Sequence, residues 1–256
     1  MDWFGLTGKK YLVTGASSGI GRAAAVKISQ LGGHVILNGR NTDRLQETLS
    51  MMDGGGHYVM PCDLTDLDGM KDYVSNCVKT DGNRFDGLVF SSGLVRGVPI
   101  RAETTEHLQN MMNINYLPYF ELLRIFGSKR VLNDRGAIVA VSSIASKSPS
   151  KSQAAYASSK AAIDAATVVA SLEFAVRKVR VNSVQPDMTS TPMTKSYFEN
   201  LPEEQARAFY PLEVIQAEDI ANTIIFLLSD MSSKITGQQI YISGGHDGRP
   251  TQYFDF

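Results

Sequence analysis

Short apolar runs alternate with amphipathic stretches along the whole chain. The apolar runs have the length of buried strands, and the stretches between them repeat their apolar positions with a helical period. Strands that are apolar on both faces are typical of a parallel sheet covered by helices on both sides. The pattern therefore predicts a single-domain, Rossmann-type, doubly wound α/β fold with about seven strands. The predicted strands are 11–13, 34–37, 57–60, 87–90, 137–141, 179–184 and 239–242. The predicted helices are 20–31, 42–52, 66–80, 104–132, 153–177 and 217–229.

Two regions depart from this alternation. Residues 188–212 carry three prolines among polar and aromatic residues, which is too broken for one long helix. Residues 246–256 form an irregular tail with aromatic residues, which predicts either a cover for a neighbouring subunit or a frayed end. The chain has no internal repeat, low-complexity tract or linker, so residues 1–256 are predicted to form one domain.

Composition excludes several classes of protein. With 43% hydrophobic and 20% charged residues and a net charge of −1, the chain offers no electrostatic case for binding nucleic acid or an anionic membrane. Cys62 and Cys77 lack metal-ligand spacing and are predicted to be reduced thiols, so no metal site is expected. The sequence has no signal-peptide pattern and no apolar run long enough to span a bilayer. We expect a soluble cytoplasmic protein.

A glycine-rich segment follows the first predicted strand and leads into the first helix. Its spacing, Gly-x-x-x-Gly-x-Gly, differs from the commoner Gly-x-Gly-x-x-Gly pattern. Glycines let the backbone approach a pyrophosphate, and a helix N-terminus offers unpaired N–H groups. The segment predicts a dinucleotide site, with a plain glycine-rich turn as the alternative. The predicted contacts are Gly15, Ser17, Ser18, Gly19, Ile20 and Gly21.

Tyr156 and Lys160 are the candidate proton-transfer groups. A spacing of four residues puts both side chains on one face of a helix, one turn apart. A tyrosine with a pKa near about 10 is a poor acid–base catalyst at neutral pH, and a nearby positive charge favours the phenolate. Ser143 and Asn115 precede this pair in the chain, and their order makes the Tyr156–Lys160 spacing stronger evidence for a catalytic site.

Taken together, these motifs resemble the short-chain dehydrogenase/reductase family along nearly the whole chain. The matching residues are Thr14 to Gly21, Asp63, Asn115, Ser143, Tyr156, Lys160, Pro186 and Thr191. Length, Arg40 and the sequence Thr236-Gly237-Gln238 are most similar to the 3-oxoacyl-[acyl-carrier-protein] reductases. The resemblance implies an enzyme that interconverts a ketone and a secondary alcohol by hydride transfer.

The resemblance also implies a role for each catalytic residue. Tyr156 would donate the proton to the carbonyl oxygen, and Lys160 would lower the pKa of that phenol and hold the nicotinamide ribose. Ser143 would hydrogen-bond the substrate oxygen, with Ser142 as the adjacent rival. Asn115 would anchor a water on the proton route to Lys160. Asn113 is the competing assignment for that role.

Cofactor contacts follow from the same resemblance. An acidic residue that favours NAD in relatives is missing near Gly39, and Arg40 can fork onto a 2′-phosphate, so NADP(H) is favoured. Ser18 stands where some NADP-preferring relatives carry a second basic residue, so NAD(H) stays the alternative. Asp63 is expected at the adenine, with a helix N-cap as its other interpretation. The remaining expected contacts are Leu64, Ser92, Gly93, Tyr156, Lys160, Pro186, Thr189 and Thr191.

Two positions depart from the family pattern. Asp187 stands where the family usually has glycine, which would restrict the backbone if φ must be positive there. Its carboxylate could select a substrate hydroxyl or cation, or point to water. Phe90 stands where an asparagine usually ties the strand to its neighbours, so packing is expected to accommodate it.

Substrate and partners are less sharply indicated. A 3-oxoacyl thioester, carried on an acyl-carrier protein, is the first expectation. Arg177 falls at one expected carrier-docking position beside the site mouth, whereas Asp134 stands where another arginine is expected. The alternatives are another ketone of sugar, sterol or polyketide type, or a non-catalytic NADP(H)-binding regulator. The resemblance also implies a substrate lid near 188–212 and a homotetramer or homodimer.

Overall fold

The computed structural model describes residues 3–246, and its centre is a parallel seven-stranded sheet. The spatial order is β3-β2-β1-β4-β5-β6-β7, with every neighbouring pair parallel. The predicted doubly wound α/β fold is confirmed. The strands are β1 (Lys10–Val13), β2 (His34–Leu37), β3 (Tyr58–Val59), β4 (Phe85–Phe90), β5 (Leu132–Val141), β6 (Arg180–Pro186) and β7 (Gln239–Ile242).

Helices cover both faces of this sheet. They are α1 (Gly19–Gln30), α2 (Thr42–Ser50), α3 (Met70–Lys79), α4 (Thr105–Asn115), α5 (Leu117–Phe126), α6 (Ala154–Phe174), α7 (Lys195–Asn200), α8 (Glu203–Phe209) and α9 (Ala217–Leu228). Within residues 3–246 none of the helices combines the length and the apolar character that crossing a membrane requires. The tail residues 247–256 lie outside the described part, so the expectation for them stays untested.

Strand residues divide between two cores according to the strand period of two. Val13 and Val89 face the core that also contains residues of α1 and α9. Leu12 and Leu88 point the opposite way, into the core formed with α3, α5 and α6. Because successive side chains leave a strand on opposite faces, four-residue apolar strands fill both cores.

The predicted helix 104–132 is wrong as a single element. It is two helices, α4 and α5, and the strand β5 already begins at Leu132. Pro118 lies in the first turn of α5, where its missing N–H costs nothing, and this favours a new helix start there. Asn115 ends α4 and binds the loop after β4 instead of continuing the helix.

The start of α3 also differs from the prediction. Helix 66–80 was expected, and the helix begins at Met70. Asp66 accepts a hydrogen bond from the Gly69 N–H at 3.1 Å, which closes a turn ahead of the helix. The broken region 188–212 contains the two short helices α7 and α8, as its prolines indicate.

Strand β1 lies between β2 and β4, so the chain leaves it in opposite directions on its two sides. A crevice opens at such a topological switch point, at the carboxyl ends of the strands. The glycine-rich segment follows β1, and residues 91–97 follow β4. The fold thereby gathers both segments at one edge of the sheet.

Candidate active site

A cleft of about 720 Å³ lies at the carboxyl edge of the sheet. Its size is that of ordinary small-molecule and cofactor sites. It brings together nearly all of the residues predicted as site residues, with Gly21 and Asn115 lying just behind its surface. The predicted residues on its surface are Gly15, Ser17, Ser18, Gly19, Ile20, Arg40, Asp63, Leu64, Ser92, Gly93, Ser143, Tyr156, Lys160, Pro186, Thr189 and Thr191.

The glycine-rich segment requires glycine for steric reasons. Gly15 has φ +65°, and a Cβ there would lie 2.8 Å from the carbonyl oxygen of Ser91. A Cβ on Gly21 would lie 2.4 Å from the carbonyl oxygen of Gly15. Both distances are shorter than any relaxed contact, so Gly21 allows α1 to begin tightly against the end of β1. The glycines therefore do more than form a plain turn.

Side chains of α1 and α2 hold this segment in place. The Thr48 hydroxyl donates to the carbonyl oxygen of Ala16 at 2.8 Å, and the Arg22 guanidinium donates to that of Ser17 at 2.7 Å. Arg22 also donates to the Thr48 hydroxyl at 3.0 Å. The Thr14 hydroxyl accepts from the N–H of Ser92 at 3.2 Å. The sequence analysis missed Arg22 and Thr48 because no local pattern marks a side chain that returns to a distant loop.

The N-terminus of α1 opens onto the cleft. Ser18 occupies the N-cap position without a side-chain hydrogen bond, and the first turn contains no acidic residue. The first N–H groups of a helix have no partner within the helix and carry a positive dipole end. These features fit the pyrophosphate of a dinucleotide, so the residues present are compatible with a nicotinamide cofactor.

Arg40 and Asp63 both line the cleft and face each other. Their charged atoms are 3.9 Å apart, and the side chains are 79% and 50% exposed. Asp63 accepts hydrogen bonds from the N–H and hydroxyl of Thr65, and these bonds, with Arg40, hold the pKa of Asp63 below its ordinary value. Since α3 begins at Met70, the N-cap interpretation of Asp63 is wrong.

Ser143 and Tyr156 meet at the reactive end of the cleft. Ser143 follows β5 and caps a 3-10 turn, Ile144–Ser146, by accepting from the N–H of Ala145 at 3.2 Å. Burial raises the pKa of Tyr156, and its hydrogen bond with Ser143 acts in the opposite direction. The rival Ser142 is buried and donates to the carbonyl oxygen of Lys160, so it has a structural contact instead.

Lys160 lies one turn beyond Tyr156 on α6 and is buried. Its Nζ donates to the carbonyl oxygen of Val141 at 2.9 Å and lies 5.8 Å from the centre of the Tyr156 ring. Burial lowers the pKa of Lys160 to about 8, against an opposing effect of Asp164. The ammonium form still predominates at pH 7, because that pH lies below the lowered pKa.

Asn115 connects three elements behind the cleft. Its amide accepts from the N–H of Leu94 at 2.8 Å and donates to the carbonyl oxygen of Leu94 and the hydroxyl of Ser159. A Cβ on Gly93 would lie 3.3 Å from Asn115 Oδ1 and 3.4 Å from Lys160 Nζ, so these two polar groups converge there. Asn113 lines a separate pocket, which favours Asn115.

The segment after β6 forms one wall of the cleft. The Thr189 hydroxyl donates to the carbonyl oxygen of Asp187 at 2.9 Å. The Thr191 N–H donates to the Thr194 hydroxyl oxygen at 3.0 Å, and the hydroxyl oxygens of the two threonines are 3.1 Å apart. The Thr191 methyl would be 3.4 Å from a Cβ on Gly19, so this wall closes against the glycine-rich segment.

The two departures from the family pattern are accommodated by packing and hydrogen bonds. Asp187 is buried, and its φ is outside the positive range, so no glycine is required there. Its carboxylate accepts from the Tyr241 hydroxyl at 3.0 Å and lies 2.7 Å from Nδ1 of His246. Phe90 is buried with its ring centre 5.2 Å from that of Tyr119.

One side of the cleft is lined by residues that were not predicted from the sequence. They come from the loops after β4 and β5 and from the broken region before α8. Position directly after a strand end was a usable signal for the first two loops. The lining residues on this side include Leu94, Val95, Ile144, Gln153, Met188, Met193, Ser196 and Tyr197.

Arg177 lies far from this cleft, contrary to the expectation of a docking position beside the site mouth. It precedes β6, whereas Asp187 follows this seven-residue strand at the carboxyl edge of the sheet, so the length of the strand separates the two residues by about 20 Å. Its side chain is 9% exposed and pairs with Asp134 at 2.8 Å. Within the described chain, the charge of Arg177 is neutralised.

Comparisons with known proteins agree with this arrangement. A family model described as enoyl-(acyl carrier protein) reductase matches residues 15–247. The 3-oxoacyl-[acyl-carrier-protein] reductase FabG of Rickettsia conorii is 35% identical over 244 residues, covering 94% of this chain and 97% of that protein. A solved short-chain type dehydrogenase/reductase from Mycobacterium ulcerans has a TM-score of 0.87 at 28% identity, covering 96% of this chain and 92% of the other. The chain belongs to the short-chain dehydrogenase/reductase family.

Relatives in this family differ in their named activities. Glucose 1-dehydrogenase of Gluconobacter oxydans is 33% identical over an alignment of 258 positions that covers 97% of this chain and 94% of that protein. Membership of the short-chain dehydrogenase/reductase family supports an enzyme that interconverts ketones and alcohols, and it confirms the resemblance inferred from the motifs. Among residues 3–246, His, Cys, Asp and Glu side chains form no group of three that could hold a metal ion.

Proposed function

We propose that the protein is an NADP(H)-dependent oxidoreductase that interconverts a ketone and a secondary alcohol, with Tyr156 as the acid–base group. The observation that carries this proposal is one cleft that is lined both by Tyr156, Ser143 and Lys160 and by the N-terminus of α1. A bound nicotinamide cofactor would supply or accept the hydride. The residues of the chain bind, orient and transfer the proton.

Tyr156 suits the role of proton donor in ketone reduction. Because burial raises its pKa, the phenol is protonated at neutral pH and ready to donate. The Ser143 hydroxyl lies beside it and would hydrogen-bond the same substrate oxygen as negative charge develops there. After donation the phenolate would be stabilised by the ammonium of Lys160, whose Nζ is 5.8 Å from the ring centre.

Asn115 is proposed to support the proton route at Lys160. Its side chain and Lys160 Nζ converge on Gly93, in the space where a Cβ would otherwise lie. A water molecule is expected to bridge them to solvent. The hydrogen bonds of Asn115 with Leu94 also hold the loop after β4 against α4.

NADP(H) is proposed over NAD(H) because of Arg40. Its guanidinium is 79% exposed at the adenosine end of the cleft, where it can fork onto a 2′-phosphate. Asp63 and Leu64 line the same end and would contact the adenine, and Ser92 and Gly93 would face the adenosine half from the loop after β4. Pro186, Thr189 and Thr191 would hold the nicotinamide carboxamide.

A 3-oxoacyl thioester is the proposed substrate. The FabG relative is named for such a substrate, and Leu94, Val95, Met188 and Met193 give the cleft an apolar side for an acyl chain. The acyl-carrier protein has less support than the thioester, because Arg177 is paired with Asp134. The glucose 1-dehydrogenase relative favours a sugar as the second candidate.

The region 188–212 is proposed to act as the substrate lid. It contributes Met188, Met193 and Tyr197 to the cleft and contains two short helices between prolines. Short elements with few buried residues are those that open most easily. Closure would exclude water from the reacting carbonyl.

The first test is NADPH consumption with acetoacetyl-CoA, using NADH in parallel. We expect turnover with NADPH and at least about tenfold lower kcat/KM with NADH, since a charge-assisted hydrogen bond contributes about 1.5–3 kcal/mol. Arg40→Ala should lose the preference for NADPH, and Arg44→Ala, on the neighbouring helix, should keep it. Equal use of both cofactors by the wild type would contradict the NADP(H) assignment.

Tyr156→Phe distinguishes the enzyme from a cofactor-binding regulator. Removal of the hydroxyl should lower kcat by about 10²–10⁴, the usual contribution of a general acid. NADPH binding, measured by fluorescence, should stay within a few-fold. Unchanged turnover in this variant would refute Tyr156 as the acid–base group. Tight NADPH binding without turnover of any ketone by the wild type would favour the regulator.

A further inference from the structure

A buried carboxylate, Asp164, lies one helical turn beyond Lys160. The spacing of four residues on α6 puts the two side chains about 5–6 Å apart at their Cβ atoms. Each residue is only 5% exposed. Burying a carboxylate is costly unless it is hydrogen-bonded and paired with an opposite charge. Its position next to the proposed catalytic lysine therefore requires an explanation.

The Asp164 carboxylate is held by donors from strand β6. Its Oδ1 accepts from the Ser183 hydroxyl at 2.7 Å, and its Oδ2 accepts from Gln185 Nε2, also at 2.7 Å. Gln185 Nε2 additionally donates to the Ser146 hydroxyl at 3.0 Å. Both oxygens of this buried carboxylate therefore accept a hydrogen bond.

Gln185 links the carboxylate to the turn at the reactive end of the cleft. Ser146 is the last residue of the 3-10 turn Ile144–Ser146, and Ser143 caps that turn. The chain of contacts from Asp164 through Gln185 to Ser146 thus connects α6 with the segment that carries Ser143. One buried group is coupled to two of the proposed catalytic residues.

Charged groups around Asp164 are few in the described part of the chain. The titratable groups that its charge affects are Lys160, on its own helix, and Tyr119, from α5. The contacts from β6 and from the 3-10 turn are uncharged Ser and Gln side chains, and β7 contributes the Gln239 amide, which reaches the backbone carbonyl of Asp164. Asp164 counteracts the effect of burial on the pKa of Lys160.

We propose that Asp164 is a positioning residue that keeps Lys160 protonated in the buried site and, through Gln185, fixes the turn that carries Ser143. This inference rests on the proposed function, because it assigns Asp164 a part in the same proton transfer. A merely structural role would require its hydrogen bonds but not its charge.

Asp164→Asn removes the charge and keeps the shape, and the first readout is independent of turnover. With ¹³C-labelled lysine, NMR titration of Lys160, assigned with Lys160→Met, should show its pKa about one to two pH units lower in the variant, because the neighbouring negative charge that favours the ammonium is removed. Ser183→Ala is the matched control, since it removes a hydrogen bond to Asp164 and keeps the charge. An unmoved Lys160 titration in folded Asp164→Asn would overturn the proposal.

The second readout is the pH profile of NADPH-dependent ketone reduction. The alkaline limb should move about one to two pH units downward in Asp164→Asn, because Lys160 loses its proton earlier. It should stay in place in Ser183→Ala. An unmoved alkaline limb in an active Asp164→Asn variant would contradict a role for Asp164 in the proton transfer. If the wild type reduced no ketone, the proposed function would be refuted instead. The NMR titration would then still decide whether Asp164 raises the pKa of Lys160.

Discussion

The contacts of several buried polar side chains explain why they are buried. The Asp187 carboxylate contacts Tyr241 and His246, and the Asn115 amide is hydrogen-bonded to the loop after β4. Lys160 differs, because its described partner is the neutral carbonyl of Val141 and its pKa is lowered to about 8 by burial. The proposed catalytic lysine is therefore held at a cost to stability, as is common at functional sites.

That cost predicts a pH-dependent difference between the wild type and Lys160→Met. Between pH 8 and the ordinary value of 10.5, the unfolded chain binds a proton at Lys160 that the folded chain does not. The free energy of unfolding of the wild type should therefore rise by about 2–3 kcal/mol relative to the variant from pH 7 to pH 10.5. Urea denaturation at both pH values measures it. A constant difference would contradict the lowered pKa.

Among the elements, the junction of β1 with α1 tolerates the least change. Gly21 lies where a Cβ would meet the carbonyl oxygen of Gly15 at 2.4 Å and that of Thr14 at 2.9 Å. Arg22 and Thr48 hold the same segment from the other side. The backbone there has no room to move away from an added methyl group.

Gly21→Ala should therefore shift α1 away from β1. Overpacking of this kind costs about 1–3 kcal/mol, so we expect a lower free energy of unfolding and about tenfold or greater loss of NADPH affinity. Gly55→Ala is the matched control, because a Cβ there meets nothing within 4 Å and its φ is not positive. Denaturation and NADPH titration measure both effects. Equal behaviour of the two variants would show that α1 can move freely.

The molecule as a whole presents an apolar surface on its outer helices. Val169, Leu172 and Val176 follow one stripe along α6 and the turn after it and are 54%, 72% and 87% exposed. Phe120 on α5 and Leu108 on α4 are also exposed. An uncovered apolar face of this kind is typical of an interface, and we propose that a second copy covers it in a homodimer or homotetramer.

Sedimentation tests that assembly directly. The wild type should sediment at two or four times the monomer mass of 27.9 kDa. Leu172→Lys should dissociate it, because a charge would be buried in the interface. Met51→Lys changes an exposed apolar residue at the C-terminal end of α2, outside the proposed interface, and should leave the assembly intact. A wild type found only at the monomer mass would exclude a homo-oligomer.

Local patterns in the sequence were sufficient for the sheet and for the order of the site residues. Short apolar runs such as 35–37 are typical of strands buried on both faces, and this pattern predicts a covered parallel sheet. Glycine at position 21, where a Cβ would meet the backbone of Gly15 and Thr14, and the spacing of Tyr156 and Lys160 are equally local. Both properties depend on residues that are near each other in the chain, so they can be predicted without knowledge of the tertiary structure.

Tertiary structure was needed wherever the partner is distant in the chain. The break between α4 and α5, the pairing of Arg177 with Asp134, and the burial of Asp187 against His246 each depend on residues brought together by crossovers. No periodicity in the sequence encodes which side chains meet across such distances. The direction of a side chain and the neutralisation of its charge follow from packing, and packing exists only once the sheet and its helices have assembled.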